Sequence, residues 1–527
     1  MQRWSDIKEP LLVFVVSCVF FLTNLAANFS GPHDSIGYLN SIISGYPLFH
    51  QHHLFYHVTS HYWLQLLQPL LPGVKDFYIV EAFTALWGSG SMTMVYLLLK
   101  RRFLLSPALS VTGTSLAAFS YGVWFYSVNV EVYAIPLFFI LWSLYVLTRK
   151  PFTHGDLLIA IFLHCAAILF HQVNILFSVV ILYAIWKHRS TIAPVRALTI
   201  YALTGIVLVG GLYFLIGWVY EGNNNFAAWS QWIRGYSTEG IYWQPLSLKT
   251  PLHVGVGYSH ALVGGHYVFQ LPALKHYIDT SLPFHALYDE MFLSKDISPA
   301  LAVFLSVLTF ILFAVIAVLV IRFLLKFRTL RNLYPDLLSP LLVCWTVYSL
   351  FFCFWMPEIL EFWILQTILL WVVLIGTLPV VGLPFRLPLI ATTAILSCIL
   401  FTVNYFGSIR LMKDINNDFY YFKVESLRNV VNPKDIIVVQ DAWILKDFLE
   451  YYTEAREVMP ARDKHSMRFN TDSAITATLQ KNGRVYMYPE MNNVFRDPDT
   501  RYIDSLLQIF QPRSRLYRKE PLIWVIE

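Results

Sequence analysis

The sequence predicts a polytopic α-helical membrane domain followed by a small α/β domain. Hydrophobic residues make up 57% of the 527 positions and charged residues 13%, against roughly 45–50% and about 25% in soluble proteins. The charges are also uneven, since residues 407–527 hold 35 of the 71, 18 basic and 17 acidic. Residues 1–406 are therefore too apolar for a soluble globule, whereas residues 407–527 have the composition of an ordinary small domain.

Helices are the only membrane-spanning structure that fits the first part. The apolar runs are about 15–25 residues long and lack period-2 alternation, which argues against a barrel. We predict about eleven transmembrane helices: 11–27, 77–99, 103–126, 131–148, 157–171, 173–186, 197–220, 299–321, 337–355, 360–380 and 388–406. The first has signal-peptide features, but because ten more spans follow, we interpret it as an uncleaved anchor.

Lysine and arginine side chains predict the orientation. They concentrate in the short connections on one side of the predicted spans, which is the cytoplasmic side by the positive-inside rule. The N-terminus is then cytoplasmic and the C-terminal domain extracytoplasmic. The same rule favours two short helices over 157–186, turning at His171 and Gln172, because one tilted helix would place Lys187, Arg189 and Arg196 outside. We expect an integral multi-pass protein of a bacterial inner membrane or of the endoplasmic reticulum.

Three outer segments are too long to be simple connections. The first, 28–76, is rich in histidine and predicts one or two amphipathic helices at the membrane surface. The second, 221–297, is aromatic and polar. The third, 407–527, alternates predicted strands at 435–440, 456–459 and 484–488 with helices at 442–453 and 472–481, which indicates an α/β layer.

Several function classes are disfavoured by what the chain lacks. The basic residues form no continuous face, so no nucleic-acid partner is expected. All five cysteines lie in apolar runs, which leaves no disulfide framework, zinc pattern or thiol nucleophile. No glycine-rich phosphate loop accompanies the predicted strands, and the Asp497-Pro498-Asp499 sequence fits a turn better than a metal–nucleotide site. We therefore expect no cofactor, while a requirement for a divalent cation stays open.

The carboxylates of the membrane part favour a site at the outer boundary. Asp34, Glu131, Glu358 and Glu361 fall at outer ends of predicted spans, whereas a secondary transporter needs polar groups near the midplane. Such a position suits a substrate that is part lipid and part polar. Transfer of a sugar from a lipid-linked phosphate needs a base, groups that stabilise the phosphate charge, and groups that hold the sugar.

Asp34 is the best candidate for the base, since it lies between an apolar helix and a surface helix. It would also serve as a simple helix cap, because it precedes Ile36, and both interpretations remain open. Glu131 either assists the base, together with His33, or only complements the dipole at the start of the fourth span.

The remaining candidates are binding residues, each with a plainer alternative. His53, His57 and His61 have i, i+4, i+8 spacing, which fits a phosphate or metal site or only the polar face of a surface helix. His171 and Gln172 would form a wall of the site. Arg234 pairs with phosphate or extends toward lipid headgroups. Glu361, like Glu358, contacts substrate or only marks the membrane boundary. Aromatic residues such as Tyr133 and Trp243 complete the candidate set.

Two sequence patterns resemble a known superfamily. The stretch Phe119-Ser120-Tyr121-Gly122-Val123-Trp124-Phe125 followed by Glu131-Val132-Tyr133-Ala134, with an acid just after the first span and an outer C-terminal domain, resembles the GT-C glycosyltransferases, including protein O-mannosyltransferase relatives. This resemblance covers mainly residues 10–190. It implies an inverting enzyme that uses a polyprenyl-phosphate-linked sugar, with Asp34 as the base.

The sequence also departs from that superfamily. Asp34-Ser35 replaces the Asp-Glu pair of protein O-mannosyltransferases, and the Trp-Trp-Asp signature of oligosaccharyltransferases is absent. The acceptor is therefore open among glycan, lipid and protein. Two other functions remain as alternatives: a transporter or flippase of lipid-linked glycans, and a non-catalytic receptor or assembly factor whose outer domain binds a partner.

Overall fold

The computed structural model describes residues 2–281, 287–382, 388–440, 444–460, 471–489 and 502–527. The chain is mostly helical with one five-stranded sheet. Six helical stretches among the described residues are long and apolar enough to cross a membrane: Asp76–Arg102, Pro194–Tyr220, Pro299–Leu325, Pro335–Phe352, Leu360–Val381 and Leu389–Met412. The protein is therefore an integral, multi-pass membrane protein.

The α-helices follow in chain order as α1 Gln2–Leu22, α2 Ser35–Ser44, α3 Tyr56–Leu67, α4 Asp76–Leu97, α5 Pro107–Phe119, α6 Tyr121–Ser127, α7 Ala134–Leu147, α8 His154–Phe170, α9 Ser178–Lys187, α10 Pro194–Thr204, α11 Gly211–Phe214, α12 Phe226–Arg234, α13 Thr250–Leu262, α14 Pro272–Ser281, α15 Tyr288–Leu293, α16 Pro299–Leu325, α17 Phe327–Leu333, α18 Pro335–Phe352, α19 Ile364–Val381, α20 Leu389–Asn404, α21 Arg410–Met412, α22 Phe419–Val424, α23 Ile444–Tyr452, α24 Thr471–Gln480 and α25 Tyr502–Ile509. The strands are β1 Ile436–Val439, β2 Glu457–Pro460, β3 Val485–Tyr488, β4 Ser514–Arg518 and β5 Ile523–Ile526. Short 3₁₀ and π segments extend or join several helices.

Each of the eleven predicted spans overlaps a helix, although among the described residues only six stretches are both long and apolar enough to cross a membrane, so the count of eleven stays a prediction. The prediction of two helices over 157–186 is confirmed, because His171 is extended (φ −159°, ψ 116°) between α8 and a 3₁₀ turn. The prediction of one continuous helix over 103–126 is wrong. Ser120 is extended (φ −62°, ψ 132°) and separates α5 from α6.

The structure divides into two compact units. The first unit comprises residues 1–25, 45–265 and 303–409, and the second comprises 26–44, 266–302 and 410–527. The second unit thus joins the C-terminal region with parts of both long outer segments. The sequence boundary between 1–406 and 407–527 stays a prediction.

The first unit is built on close helix packing. The pairs α1 with α4, α4 with α7, and α7 with α8 contact extensively. Gly90 allows the approach of α4 to α7, because a Cβ atom there would lie 2.8 Å from Cδ2 of Phe138. A larger side chain at position 90 would force the two helices apart.

The second unit contains the sheet, with strand order β2-β1-β3-β5-β4. β1 is parallel to β2 and β3, and β5 is antiparallel to β3 and β4. All four residues of β1 and of β3 are buried, and α24 and α25 contribute Ile475, Ile503 and Leu506 to the core beside them. The three predicted strands and two predicted helices are observed, whereas α25, β4 and β5 were not predicted. Asp497-Pro498-Asp499 lies outside the described residues.

Both long outer segments contain helices of their own. The first has two, α2 and α3, in agreement with the prediction. The second contains α12, α13, α14 and α15.

Candidate functional site

A group of five imidazole rings lies in the first unit. We call it the histidine cluster, and its members are His50, His52, His53, His57 and His171. The rings of His50 and His53 stack with centroids 4.1 Å apart, and the His57 ring meets that of His53 at 5.3 Å. The His171 ring lies 6.4 Å from that of His53. The turn before α3 and the break between α8 and α9 therefore lie in contact at the histidine cluster. The prediction that His171 forms a wall of the site needs such a contact.

Gln172 and Gly235 fix the edge of the cluster. The Gln172 main-chain N–H donates to the His52 carbonyl oxygen at 2.7 Å, and Nδ1 of His52 lies 3.1 Å from Oε1 of Gln172. Gly235, just after α12, has φ +46°, and a Cβ atom there would lie 2.5 Å from Nε2 of His52. Only glycine fits both the backbone conformation and the space at position 235.

Burial favours the neutral form of three histidines of the first outer segment, His50, His52 and His57. Burial, followed by the neighbouring histidines, lowers the pKa of His50 to about 3. Burial also lowers the pKa of His52 and of His57 to about 4, although hydrogen bonds to Gln172 and to the Pro47 carbonyl partly oppose it. A neutral imidazole acts on a phosphate as a hydrogen-bond donor, and the expectation of a protonated phosphate site stays a prediction.

The predicted histidine stripe is wrong in its geometry. His53 lies before α3, which begins at Tyr56, and the side chains of His53 and His57 are only 3% and 2% exposed. They are thus not the polar face of a surface helix. His61 is separate and lies 2.8 Å from the amide nitrogen of Gln65.

Tyr133 connects the histidine cluster to Glu361. Its ring lies 5.3 Å from that of His171, and its hydroxyl donates to Oε1 of Glu361 at 2.6 Å. The Tyr126 hydroxyl donates to Oε2 of the same carboxylate at 3.0 Å. Two phenols therefore hold the Glu361 carboxylate in place. A residue that only marked the membrane boundary would not need these two hydrogen bonds.

A pocket with two kinds of wall opens at this point. Its cavity is small, about 50 Å³, and is partly open to the outside. One wall is polar, with Tyr133, His171 and Glu361. The other is mostly apolar, although Asn174 and Tyr348 also belong to the lining. Its apolar residues are Pro136, Leu137, Ile140, Val173, Phe352, Phe362, Ile364 and Leu365. The pocket suits a ligand with one polar and one hydrocarbon part.

Glu131 lies in the same unit, in the connection between α6 and α7. It precedes the helix, whose N-cap is Tyr133, so the prediction that it opens the fourth span is wrong. Its side chain is 3% exposed. Burial, and then the charge of Glu131, raise the pKa of the Tyr56 phenol, which places this carboxylate near the start of α3.

Glu81 was missed by the sequence reasoning. It lies in the second turn of α4, is fully buried, and neither carboxyl oxygen has a hydrogen-bond partner among the described residues. It lies close enough to Tyr56 to affect that phenol electrostatically. The sequence did contain a signal for Glu81, because it is the fifth residue of the predicted span 77–99. An acidic residue inside a membrane span is a functional candidate by default.

Arg234 and Trp243 lie in the first unit but outside the pocket lining. Arg234, the last residue of α12, is exposed and donates through Nε to the Ser230 carbonyl at 3.1 Å. Its neighbour Ile233 accepts a hydrogen bond from Gln172 at 3.4 Å, so the end of α12 lies against the cluster. Trp243 packs edge-on against Trp355, with centroids 4.9 Å apart.

His33 and Asp34 belong to the second unit. Nε2 of His33 lies 2.9 Å from Oδ2 of Asp289. Burial would raise the pKa of Asp289, but hydrogen bonds from Glu290 and His33 lower it to about 2. Asp34 is exposed, and the Tyr38 hydroxyl lies 3.4 Å from its Oδ2. His33 has φ +31°, an uncommon value for a residue other than glycine, directly before the candidate base.

Within the first unit, the structure thus brings together His53, His57, Tyr133, His171, Gln172 and Glu361. Among the described residues, no group of three or more histidine, cysteine, aspartate or glutamate side chains has the geometry to hold a metal ion. The expectation that no cofactor is needed stays a prediction.

The chain is similar to ArnT from Cupriavidus metallidurans. The structure bound to undecaprenyl phosphate matches with a TM-score of 0.45 and 13% identity, covering 100% of this chain and 98% of that one. An Archaeoglobus fulgidus oligosaccharyltransferase in complex with zinc and sulfate matches with a TM-score of 0.45 and 12% identity, covering 91% and 68%. No protein-family model and no curated protein matches the chain.

Proposed function

We propose that this protein is a membrane glycosyltransferase. It transfers a sugar, with inversion, from a polyprenyl-phosphate-linked donor to an acceptor on the extracytoplasmic face of a bacterial inner membrane. The observation that carries the proposal is the pocket lined by Tyr133, His171 and Glu361 on one side and by apolar residues on the other. A lipid-linked sugar needs both kinds of wall, because its two parts differ in polarity.

The sugar is held by the polar wall. The carboxylate of Glu361 already accepts two hydrogen bonds from tyrosines and is able to accept more from sugar hydroxyl groups, because an ionised carboxylate has about four lone-pair sites. The His171 and Tyr133 rings offer faces for the sugar ring. The prenyl chain lies along Pro136, Leu137 and Leu365.

The transfer step uses Asp34 as the base. Its carboxylate takes the proton from an acceptor hydroxyl, whose oxygen then forms the new bond to the anomeric carbon. The bond from that carbon to the phosphate oxygen breaks, and its electron pair leaves with the lipid phosphate. Neutral N–H groups of the histidine cluster and the guanidinium of Arg234 stabilise the charge that develops on the phosphate. Glu131 is kept as the candidate for an assisting carboxylate, as the sequence predicts.

Asp34→Asn in reconstituted protein tests the proposal. Transfer of labelled sugar from a synthetic polyprenyl-phosphate donor to a panel of glycan, lipid and peptide acceptors should fall by at least about 100-fold, the size typical for loss of a general base. Asp296→Asn is the matched control, because it removes another exposed carboxylate from the second unit. Full activity of the Asp34 variant would exclude this residue as the base.

The same assay separates the proposal from a flippase. A glycosyltransferase releases the lipid phosphate as it consumes the donor. A flippase moves labelled donor across the vesicle membrane and leaves it intact. Movement without consumption, with every acceptor of the panel present, would contradict the proposal.

A further inference from the structure

Asp418 connects the C-terminal region to the segment that carries Asp34. This carboxylate is fully buried in the second unit. The main-chain N–H groups of Phe29 and Ser30 donate to its Oδ2 at 2.6 and 3.2 Å, and the Ser30 hydroxyl donates to its Oδ1. Asp418 also caps α22 by accepting from the Tyr421 N–H at 2.8 Å. One side chain therefore satisfies donors from two segments almost 400 residues apart.

Further contacts on both sides of Asp34 tie the same segment to the C-terminal region. Before Asp34, the Asn28 side chain donates to the Asn417 carbonyl at 2.9 Å, and the Ala27 N–H donates to the Met412 carbonyl at 2.8 Å. After Asp34, the Asn40 side chain donates to the Asp447 carbonyl at 2.9 Å. The helices α2 and α23 pack together there.

The backbone between these contacts has little freedom. Only four residues separate Ser30 from Ser35, the first residue of α2, and one of them is Pro32, whose φ is fixed. The next, His33, has φ +31°. Such a conformation costs on the order of 1 kcal/mol or more and persists only where the surroundings impose it. The contacts at Ser30 and Asn40 supply that constraint, so they fix the backbone that carries Asp34.

We propose that Asp418 is a positioning residue, which holds residues 28–30 so that Asp34 is presented in its reactive orientation. This inference rests on the proposed function, in which Asp34 is the base. It gives the C-terminal region a role in the chemistry itself, apart from any role in selecting the acceptor. Asp418 touches no substrate in this proposal.

The test compares Asp418→Asn with Asp414→Asn in the full-length protein. Asp414 is the matched control, because it also caps a short helical turn close by, where it accepts a hydrogen bond from the Asn416 N–H. Unlike Asp418 it is exposed, and its side-chain hydrogen bonds to described residues stay within its own turn. Hydrogen exchange read by mass spectrometry reports on residues 26–40 and on the sheet, and sugar transfer gives kcat and KM for the donor.

For Asp418→Asn we expect exchange in residues 26–40 to rise about tenfold, while exchange in β1 and β3 stays at the wild-type rate. We expect kcat to fall about tenfold with little change in the donor KM. The reason is that a misplaced Asp34 weakens proton removal in the transition state and leaves donor binding unchanged. Asp418→Glu, which keeps a carboxylate, should recover part of kcat.

Unchanged exchange in residues 26–40 would overturn the proposal, because Asp418 would then not restrain this segment. An equal rise of exchange in the sheet would also overturn it, because the substitution would then have loosened the whole unit. Faster exchange in 26–40 with unchanged kcat would also overturn it. If the wild-type protein transferred no sugar, the proposed function would fail, and the exchange data alone would still decide whether Asp418 holds the segment.

Discussion

The hydroxyl of Tyr133 donates a 2.6 Å hydrogen bond to Oε1 of Glu361, a residue 228 positions away in the sequence. This bond joins the start of α7 to the 3₁₀ turn that precedes α19. It also places the tyrosine ring between the carboxylate and His171. The pocket wall is therefore one hydrogen-bonded unit, and a change in one member is expected to reach the others.

Tyr133→Phe should lower kcat/KM for the donor about tenfold. The variant keeps the ring against His171 but removes one of the two hydrogen bonds to Glu361, and hydrogen bonds to charged groups contribute about 1.5–3 kcal/mol. Tyr183→Phe is the control, because it removes a phenol of the first unit that does not line the pocket. Equal kcat/KM values for both variants and the wild type would remove Tyr133 from the site.

Acid should destabilise the protein through the histidine cluster. The folded state keeps His50 and His57 neutral down to about pH 3 and 4, whereas the unfolded state takes up protons near pH 6.5. The unfolded state thus binds more protons as the pH falls below 6.5, and stability falls with it. At pH 5 each such ring lowers the free energy of unfolding by about 2 kcal/mol.

The measurement is thermal unfolding in detergent at pH 7.5 and pH 5. The double variant His50→Gln/His57→Gln should lose less stability between these two values than the wild type does. His154→Gln is the control, because His154 is exposed at the start of α8. An identical pH dependence in the double variant and the wild type would contradict neutral, buried rings.

Asp447→Asn should stabilise the protein at pH 8. Burial raises the pKa of Asp447 to about 7; Lys446 opposes this shift, and Glu450 and Asp34 add to it. The folded state therefore holds this proton at pH values where the unfolded state has lost it, and stability falls as the pH rises from about 4 to 7. A neutral amide removes that penalty.

We expect a gain of at most about 4 kcal/mol at pH 8, reduced by residual solvent screening, and no gain below pH 4. Thermal unfolding at pH 4 and pH 8 checks both values. Glu454→Gln, an exposed acid shortly after the same helix, serves as the control. A gain of equal size at both pH values would show that packing, and not titration, is responsible.

The sequence predicted the helices better than their interruptions. Lysine and arginine near 187–196 indicated the break at His171, because orientation depends on charge in short loops. No comparable signal marks Ser120, where the helix stops without glycine or proline. The strand β4 was missed because the segment from Ser514 to Arg518 is short, charged and mostly exposed. The strand β5 was missed because its four residues, Ile523–Ile526, are too few to show a period.

The site was predicted residue by residue, but its contacts were not. Spacing suggested that His53 and His57 share a helical face, whereas the helix begins only at Tyr56 and packing buries both rings. Glu361 was selected for its place at a span boundary, and its bonds to Tyr126 and Tyr133 depend on how distant helices pack. Local periodicity carries no information on such pairs.

The outermost strand of the sheet has a consequence for self-association. β4 pairs on one side with β5 and, within the described part of the chain, has no strand on its other side. Free strand edges recruit other chains unless charge discourages it. Arg515 of this strand pairs with Glu527 at 2.9 Å, whereas Arg518 donates through Nε to the Glu520 carbonyl and keeps its positive charge. A second copy of the sheet would therefore bring two Arg518 side chains toward the same edge. Filament growth by strand addition is thereby disfavoured even when many copies crowd the same membrane.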